Sequence, residues 1–190
     1  MTLKYDEDGS EIIRGFLEPE LVKKYHDIAV NRESYTMVGE AFTGNTIAQY
    51  NGFDDLQEII QPKVEEITGM AIHRTYNFFR IYMKGSYLPM HNDRHACEIS
   101  VTVNLGGDDW KIGIKDFKGL EHEELLKPGD AMVYRGHDLD HWRPGIFEGE
   151  RLVQGFFHFI RANGAYQWAK DDEYFMNEFN ELEKHIPPEV

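Results

Sequence analysis

The segment from residue 71 to residue 160 consists of short runs of β-branched and aromatic residues separated by turns rich in Gly, Pro and Asp. In residues 98–105, apolar and polar side chains alternate. Successive side chains of a strand point to opposite faces, so this pattern predicts a half-buried strand. Short strands at near-regular spacing are typical of two packed antiparallel sheets. The sequence therefore predicts a mainly β fold with flanking helices, whose core is a double-stranded β-helix (jelly roll).

Two segments before this region show helical periodicity. Residues 18–31 place apolar side chains at steps of three and four, and Pro19 suits the first turn of a helix. Residues 54–67 show a second apolar face, which Gly69 follows as a stop signal. Pro62 lies inside this second segment and is expected to kink or split the helix.

The chain is predicted to form a single domain, residues 1–190, because its length suits one substantial core. The expected parts are a helical N-terminal part (1–70), a jelly-roll core (71–160) and a C-terminal helical segment (161–190). Within the first part, residues 33–51 show no clean period and contain two glycines. We expect them to form a loop that covers the site as a lid.

The composition excludes some partners. A formal charge of −14 argues against a nucleic-acid or anionic-membrane surface, because such a surface needs clustered Lys and Arg. Cys97 is the only cysteine, so an intramolecular disulfide is impossible. The charged start of the sequence and the absence of a long apolar stretch lead us to expect a soluble, cytoplasmic protein. A small molecule or a peptide fits as the substrate, whereas the oligomeric state cannot be inferred from the sequence.

A candidate metal site begins at His91 and Asp93, which are separated by one residue after a strand-like run. His141 follows fifty residues later, and Arg151 follows His141 by ten. Two histidines and one carboxylate on one side of an ion leave three positions open, which is the arrangement of non-haem Fe(II) oxygenases. A nearby guanidinium suits the far carboxylate of a dicarboxylate. His137 is the alternative third ligand, because it lies only four residues before His141.

These residues, in this order, resemble the Fe(II)/2-oxoglutarate-dependent dioxygenase superfamily and, within it, the prolyl 4-hydroxylase-like branch. The resemblance covers about residues 72–160. One departure is that many prolyl 4-hydroxylases carry lysine at the position of Arg151. The matching residues, in chain order, are Tyr82, Gly85, Tyr87, His91, Asp93, Pro128, Gly129, Asp130, His141 and Arg151.

The resemblance implies a set of cofactors and roles. His91, Asp93 and His141 would hold Fe(II), Arg151 would pair with the far carboxylate of 2-oxoglutarate, and Tyr82 would donate a hydrogen bond to the same co-substrate. O2 is the second co-substrate, and ascorbate is a candidate accessory reductant. The metal supplies the chemistry, and the protein supplies ligands, orientation and exclusion of water.

The implied reaction is hydroxylation of a C–H bond with release of succinate and CO2. A prolyl residue in a peptide or protein is the first candidate substrate, and a free amino acid or another small metabolite is the alternative. A hypothesis of a different class is a metal-binding jelly-roll module without redox chemistry. Consumption of 2-oxoglutarate distinguishes the oxygenase from this module.

Overall fold

A computed structural model of the chain describes residues 3–33, 35, 37–40 and 43–170. Within these residues the α-helices are α1 (Tyr5–Asp8), α2 (Pro19–Val30) and α3 (Asp54–Thr68). Two short 3-10 helices cover His95–Cys97 and Gln167–Ala169.

All the strand pairs that form the two sheets are antiparallel. The strands are β1 (Ser10–Ile13), β2 (Met37–Glu40), β3 (Gly44–Tyr50), β4 (Ile72–Met83), β5 (Leu88–His91), β6 (Ile99–Gly107), β7 (Ile112–Lys115), β8 (Glu121–Glu124), β9 (Ala131–Tyr134), β10 (His141–Arg143) and β11 (Arg151–Arg161). The larger sheet has the order β1-β9-β6-β11-β4-β3-β2, and the smaller one has the order β5-β10-β7-β8. This arrangement confirms the predicted jelly roll.

The main hydrophobic core lies between the helices and the outer face of the larger sheet. The predicted helices are present as α2 and α3, and α3 continues through Pro62 as one helix that ends at Gly69 in a left-handed conformation. Phe53 lies at the centre of this core, 5.0 Å from the Tyr25 ring and 4.8 Å from the Phe79 ring, measured between centroids. Burying one such side chain contributes about 1.5–3 kcal/mol.

The inner face of the larger sheet is polar but buried. We predicted β6 to be a half-buried strand, and this was wrong, because Ser100, Thr102 and Asn104 are as inaccessible as the apolar residues between them. The smaller sheet covers this face. The alternating pattern therefore marks an interior polar surface, and the functional site lies between the two sheets.

The N-terminal part, residues 1–70, was predicted to be helical, and it contains strands as well as helices. Residues 33–51, expected to be a loop, include β2 and β3, which extend the larger sheet beside β4. β1 pairs with β9 at the opposite edge. These strands form by pairing with distant residues, a contribution that local periodicity does not contain.

The predicted C-terminal helical segment lies mostly outside the described residues, which end at Lys170. Its described part, residues 161–170, contains the last residue of β11 and the 3-10 turn Gln167–Ala169. Among the described residues, no helix is both long and apolar enough to span a bilayer.

Candidate active site

Two of the predicted metal ligands face each other across neighbouring strands. His91 ends β5, His141 begins β10, and the two residues are direct partners in the smaller sheet. The register then shifts, so that Arg143 is opposite Leu88 and β5 contains one extra residue. Pro89 lies in this bulge, and proline suits a bulge because it cannot donate a ladder hydrogen bond. The bulge sets which residue of β5 is opposite His141.

Asp93 completes the cluster from the loop after β5, where its backbone N–H donates to the Gly136 carbonyl at 2.8 Å. One ligand atom from each of His91, Asp93 and His141 lies within 4.8 Å of the others. The Asp93 Oδ1 atom is 3.8 Å from Nε2 of His91 and 3.5 Å from Nε2 of His141. The structure therefore brings the three predicted ligands together.

Each histidine of the cluster is oriented by the backbone carbonyl of the residue two positions before it. The Nδ1 atom of His91 lies 2.9 Å from the Pro89 carbonyl, and that of His141 lies 3.0 Å from the Leu139 carbonyl. A carbonyl can only accept, so both rings carry their proton on Nδ1 and present Nε2 to Asp93. Donation from the second ring nitrogen is the usual way in which proteins orient metal-binding histidines.

The charges of the cluster suit a cation. Burial alone would raise the pKa of Asp93, but the His141 imidazole, with smaller contributions from His158 and His91, holds this pKa well below its ordinary value. Burial lowers the pKa of His91, and the nearby His141 lowers it further. At neutral pH the cluster therefore offers a carboxylate and at least one neutral imidazole, which are the forms that bind metal ions.

The second carboxylate oxygen of Asp93 is held by the polar interior face. Ser100 Oγ lies 3.0 Å from Asp93 Oδ2 and 3.0 Å from His158 Nδ1. Gly136 passes close to this contact, and a Cβ atom there would lie 2.3 Å from Ser100 Oγ and 2.4 Å from Asp93 Oδ2. Only glycine fits at this point, because any larger residue at position 136 would displace the Asp93 carboxylate from its hydrogen bond with Ser100.

The three candidate ligands line a cavity between the sheets that also contains two arginines. Apolar and aromatic side chains form most of its remaining wall. Its lining residues are Phe78, Arg80, Tyr82, Leu88, His91, Asp93, Ile112, Tyr134, His141, Arg143, Phe156 and His158.

Arg143 has the geometry of an anion-binding group within this cavity. It is 5 % exposed, and its Nη1 atom donates to the Trp110 carbonyl at 2.6 Å. Its Nε and Nη2 atoms are buried and have no hydrogen-bond partner among the described residues. Burial holds the pKa of Arg143 below its usual range, and the Tyr82 and Tyr134 hydroxyls oppose part of that shift. The Nε and Nη2 atoms form one edge of the guanidinium, which can bind both oxygens of a carboxylate.

Tyr82 packs against the Arg143 guanidinium in the same cavity. The Arg143 guanidinium lies 5.6 Å from the centroid of the Tyr82 ring and 5.3 Å from that of Trp110. The Tyr82 hydroxyl is fully buried and makes no hydrogen bond that meets normal geometry within the described chain. A buried hydroxyl and a buried guanidinium edge without acceptors fit the far carboxylate of a bound dicarboxylate.

Arg151, by contrast, is not in the cavity. It is exposed at the start of β11 and lines a separate surface depression beside Asp108. The register explains this position, because Leu152 is opposite the cavity residue Tyr82 whereas Arg151 is opposite Met83. Side chains of a strand alternate between faces, so Arg151 points away from the metal cluster. The ten-residue spacing therefore pointed to a strand that lines the cavity, but the Arg151 side chain lies on the face of that strand that is turned away from the cavity.

His137, the alternative third ligand, has a different environment. Its ring packs 4.1 Å from the His95 ring and 5.5 Å from the Tyr166 ring, measured between centroids. Among the described residues, two groups have ligand atoms that converge, namely His91 with Asp93 and His141, and Asp93 with Cys97 and His158. His137 belongs to neither group. His141 therefore occupies the position of the third ligand in the cluster.

Sequence reasoning missed three residues of this site. These residues are Arg143, Ser100 and His158. The alternation of side chains along a strand could have identified them. Arg143 is two residues from His141 on β10, and residues two apart on a strand share a face. Ser100 and His158 belong to the polar positions of β6 and β11 that face the interior.

No protein-family model matches the sequence, and no curated protein matches it. Solved structures do match, at low sequence identity. A prolyl-4-hydroxylase from Pseudomonas putida has a TM-score of 0.64 at 15% identity, with 81% of this chain and 94% of that chain covered. The epimerase SnoN from nogalamycin biosynthesis, in complex with Fe3+, alpha ketoglutarate and nogalamycin RO, has a TM-score of 0.69 at 13% identity, covering 84% of this chain and 81% of that one.

A third similar structure is HygX from Streptomyces hygroscopicus with nickel and 2-oxoglutarate bound, with a TM-score of 0.64 at 12% identity and coverage of 84% and 85%. These matches confirm that the chain has the jelly-roll fold found in Fe(II)/2-oxoglutarate oxygenases, as the resemblance implied. The residues present also fit these cofactors, since three ligands converge and a buried guanidinium edge faces the same cavity.

Proposed function

We propose that the protein is an Fe(II)- and 2-oxoglutarate-dependent oxygenase that oxidises a C–H bond. The observation that supports this most strongly is the combination, in one cavity, of the His91, Asp93 and His141 cluster with the open edge of Arg143. A site for a metal alone would have no use for a buried cation beside it. A buried guanidinium without a carboxylate is costly, and a bound dicarboxylate would remove that cost.

In this proposal the two ends of 2-oxoglutarate have separate partners. His91, Asp93 and His141 would hold the metal and leave positions for the 2-oxo acid end and for O2. Arg143 and Tyr82 would hold the far carboxylate, the role that the sequence had suggested for Arg151 and Tyr82. Two residues of strand advance about 6.6 Å. This spacing between His141 and Arg143 suits a five-carbon acid that is chelated at one end.

When bound, iron and 2-oxoglutarate would supply the oxidising chemistry, in which decarboxylation to succinate and CO2 accompanies the transfer of oxygen. The protein itself orients the metal ligands and excludes water from the cavity. Ser100 fixes the unused oxygen of Asp93, and the two backbone carbonyls fix the histidine rings. Leu88, Ile112 and Phe156 give the cavity an apolar wall that limits the access of water.

The substrate and the compartment remain predictions. Hydroxylation of a prolyl residue is supported by the similarity to a prolyl-4-hydroxylase. The similarity to SnoN with nogalamycin RO bound, and to HygX with hygromycin B bound, supports a small molecule equally. The cytoplasmic location rests on the composition alone.

The test combines binding with turnover. The purified protein is supplied with Fe(II), 2-oxoglutarate and O2, and succinate is measured with and without a panel of proline peptides, free amino acids and small metabolites. We expect slow succinate formation without substrate and a product heavier by one oxygen atom with the correct substrate. Tight metal binding with neither 2-oxoglutarate binding nor succinate formation would favour the non-redox module instead.

A further inference from the structure

His158 is a buried group of the cavity that the proposed metal and co-substrate sites do not use. It is 2 % exposed, and its ring lies 4.5 Å from the Tyr76 ring and 5.7 Å from the Phe78 ring, measured between centroids. Its Nε2 atom is buried and has no hydrogen-bond partner among the described residues. Leaving such a buried atom unpaired is unfavourable, so we expect a group of a bound ligand to form a hydrogen bond with it.

The tautomer of His158 follows from the hydrogen bonds of Ser100. The ionised Asp93 carboxylate can only accept, so the contact of 3.0 Å between Asp93 Oδ2 and Ser100 Oγ requires Ser100 to donate its single proton. The contact of 3.0 Å between Ser100 Oγ and His158 Nδ1 then requires His158 to donate. The proton of His158 is therefore on Nδ1, and Nε2 carries a lone pair.

The geometry around this ring favours its neutral form. A proton on the buried Nε2 atom would find no acceptor among the described residues, so the charged form would be left unpaired there. The ring also packs between aromatic side chains, which prevents it from turning freely. His158 thus offers a fixed, neutral acceptor in a cavity whose other polar groups are mainly cationic or metal-directed.

We propose that His158 is a specificity-determining residue whose Nε2 accepts a hydrogen bond from the substrate. The substrate would therefore carry a hydroxyl or N–H donor near the carbon that is oxidised. Phe78, Leu88 and Phe156 line the same cavity, so the part of the substrate beside this donor is apolar. The assignment of this donor to a substrate rests on the proposed oxygenase function, whereas the presence of the acceptor on His158 does not.

The experiment uses the full chain labelled with 15N-histidine and loaded with diamagnetic Zn(II), so no turnover is needed. The nitrogen resonances of His158 are identified by their loss in His158→Phe or, if that variant does not fold, in His158→Gln. Phenol and anisole serve as the probes, because both are flat and apolar and only phenol donates a hydrogen bond. His122→Phe is the matched control, since His122 pairs with Asp116 outside the cavity.

We expect the Nδ1–H tautomer at neutral pH, a shift of the Nε2 resonance with phenol and at least a fivefold smaller one with anisole. The control variant should retain this difference. A proton on Nε2, or equal responses to the two probes, would overturn the proposal. Lack of 2-oxoglutarate turnover would instead contradict the oxygenase function and leave the acceptor intact, so the two failures are distinguishable.

Discussion

Replacing Arg143 tests the co-substrate site most directly. In Arg143→Met the side chain keeps a similar length but loses the guanidinium edge formed by Nε and Nη2. Hydrogen bonds to a charged partner contribute about 1.5–3 kcal/mol. At about 1.4 kcal/mol per factor of ten, the dissociation constant for 2-oxoglutarate should rise roughly 10- to 150-fold. Arg143→Lys should have a smaller effect, because lysine keeps the charge without the planar fork.

The assay is direct binding of 2-oxoglutarate to the Zn(II)-loaded protein, supported by thermal unfolding. At a ligand concentration of 100 times the dissociation constant, bound ligand stabilises the parent protein by about 2.7 kcal/mol. If affinity falls by a factor of 100, this stabilisation falls to about 0.4 kcal/mol. Without ligand, the unfolding free energy should change by only about 1 kcal/mol, because loss of the bond to the Trp110 carbonyl is offset by removal of a buried charge.

The matched control is Arg151→Met, which removes an arginine that lies outside the cavity. Its affinity for 2-oxoglutarate should equal that of the parent protein. If Arg151→Met weakens binding tenfold or more while Arg143→Met does not, the assignment of the cavity arginine is refuted. The strand register would then have to differ from the one described.

Three further predictions concern the metal cluster and its support. Replacing any one of its three ligands with alanine should abolish Fe(II)-dependent succinate formation, whereas His137→Ala should retain it; the reverse result would identify a different third ligand. Gly136→Ala should weaken Zn(II) binding at least tenfold in a titration, because the new Cβ would displace the Asp93 carboxylate; unchanged affinity would contradict this. In the metal-free protein the unfolded chain binds a proton at His158 below about pH 6.5 and the folded chain only below about pH 4. This group therefore stabilises the fold fully above pH 6.5, and on the order of 3 kcal/mol is lost as pH falls through this window. Urea unfolding of His158→Phe should lack this component, and an identical pH profile would exclude it.

Much of the site could be predicted because its key residues are close together in sequence. His91 and Asp93 are separated by one residue, and short spacing on an extended chain limits the possible arrangements. The pairing of His141 with His91 was accessible only through a resemblance, since it depends on two strands meeting. Arg151 shows where spacing fails, because a count of ten residues does not contain the bulges and turns that decide which face a side chain occupies.

The type of fold could be predicted from the sequence, but the number of strands in the larger sheet could not. The alternation in β6 and the apolar faces of α2 and α3 are local signals, and the structure contains all three elements. β2 and β3 were expected to be a loop because residues 33–51 show no clean period and contain two glycines. Their strand conformation depends on pairing with β4, which contributes hydrogen bonds that no local pattern records. The buried polar face of the larger sheet was likewise not predicted, because polar residues on a strand normally indicate a face that is exposed to solvent.

The three-residue strand β10 has a consequence for which acids the protein can use. Its first residue, His141, is a candidate metal ligand, and its last, Arg143, is the candidate carboxylate anchor. β10 pairs with β5 on one side and β7 on the other, so the backbone fixes the separation of the two groups. A 2-oxo diacid with one carbon fewer or more could bind the metal or place its far carboxylate on Arg143, but it could not do both at once. We therefore expect oxaloacetate and 2-oxoadipate to bind at least tenfold more weakly than 2-oxoglutarate in the same titration. Selection by chain length would thus reside in the backbone of a single strand.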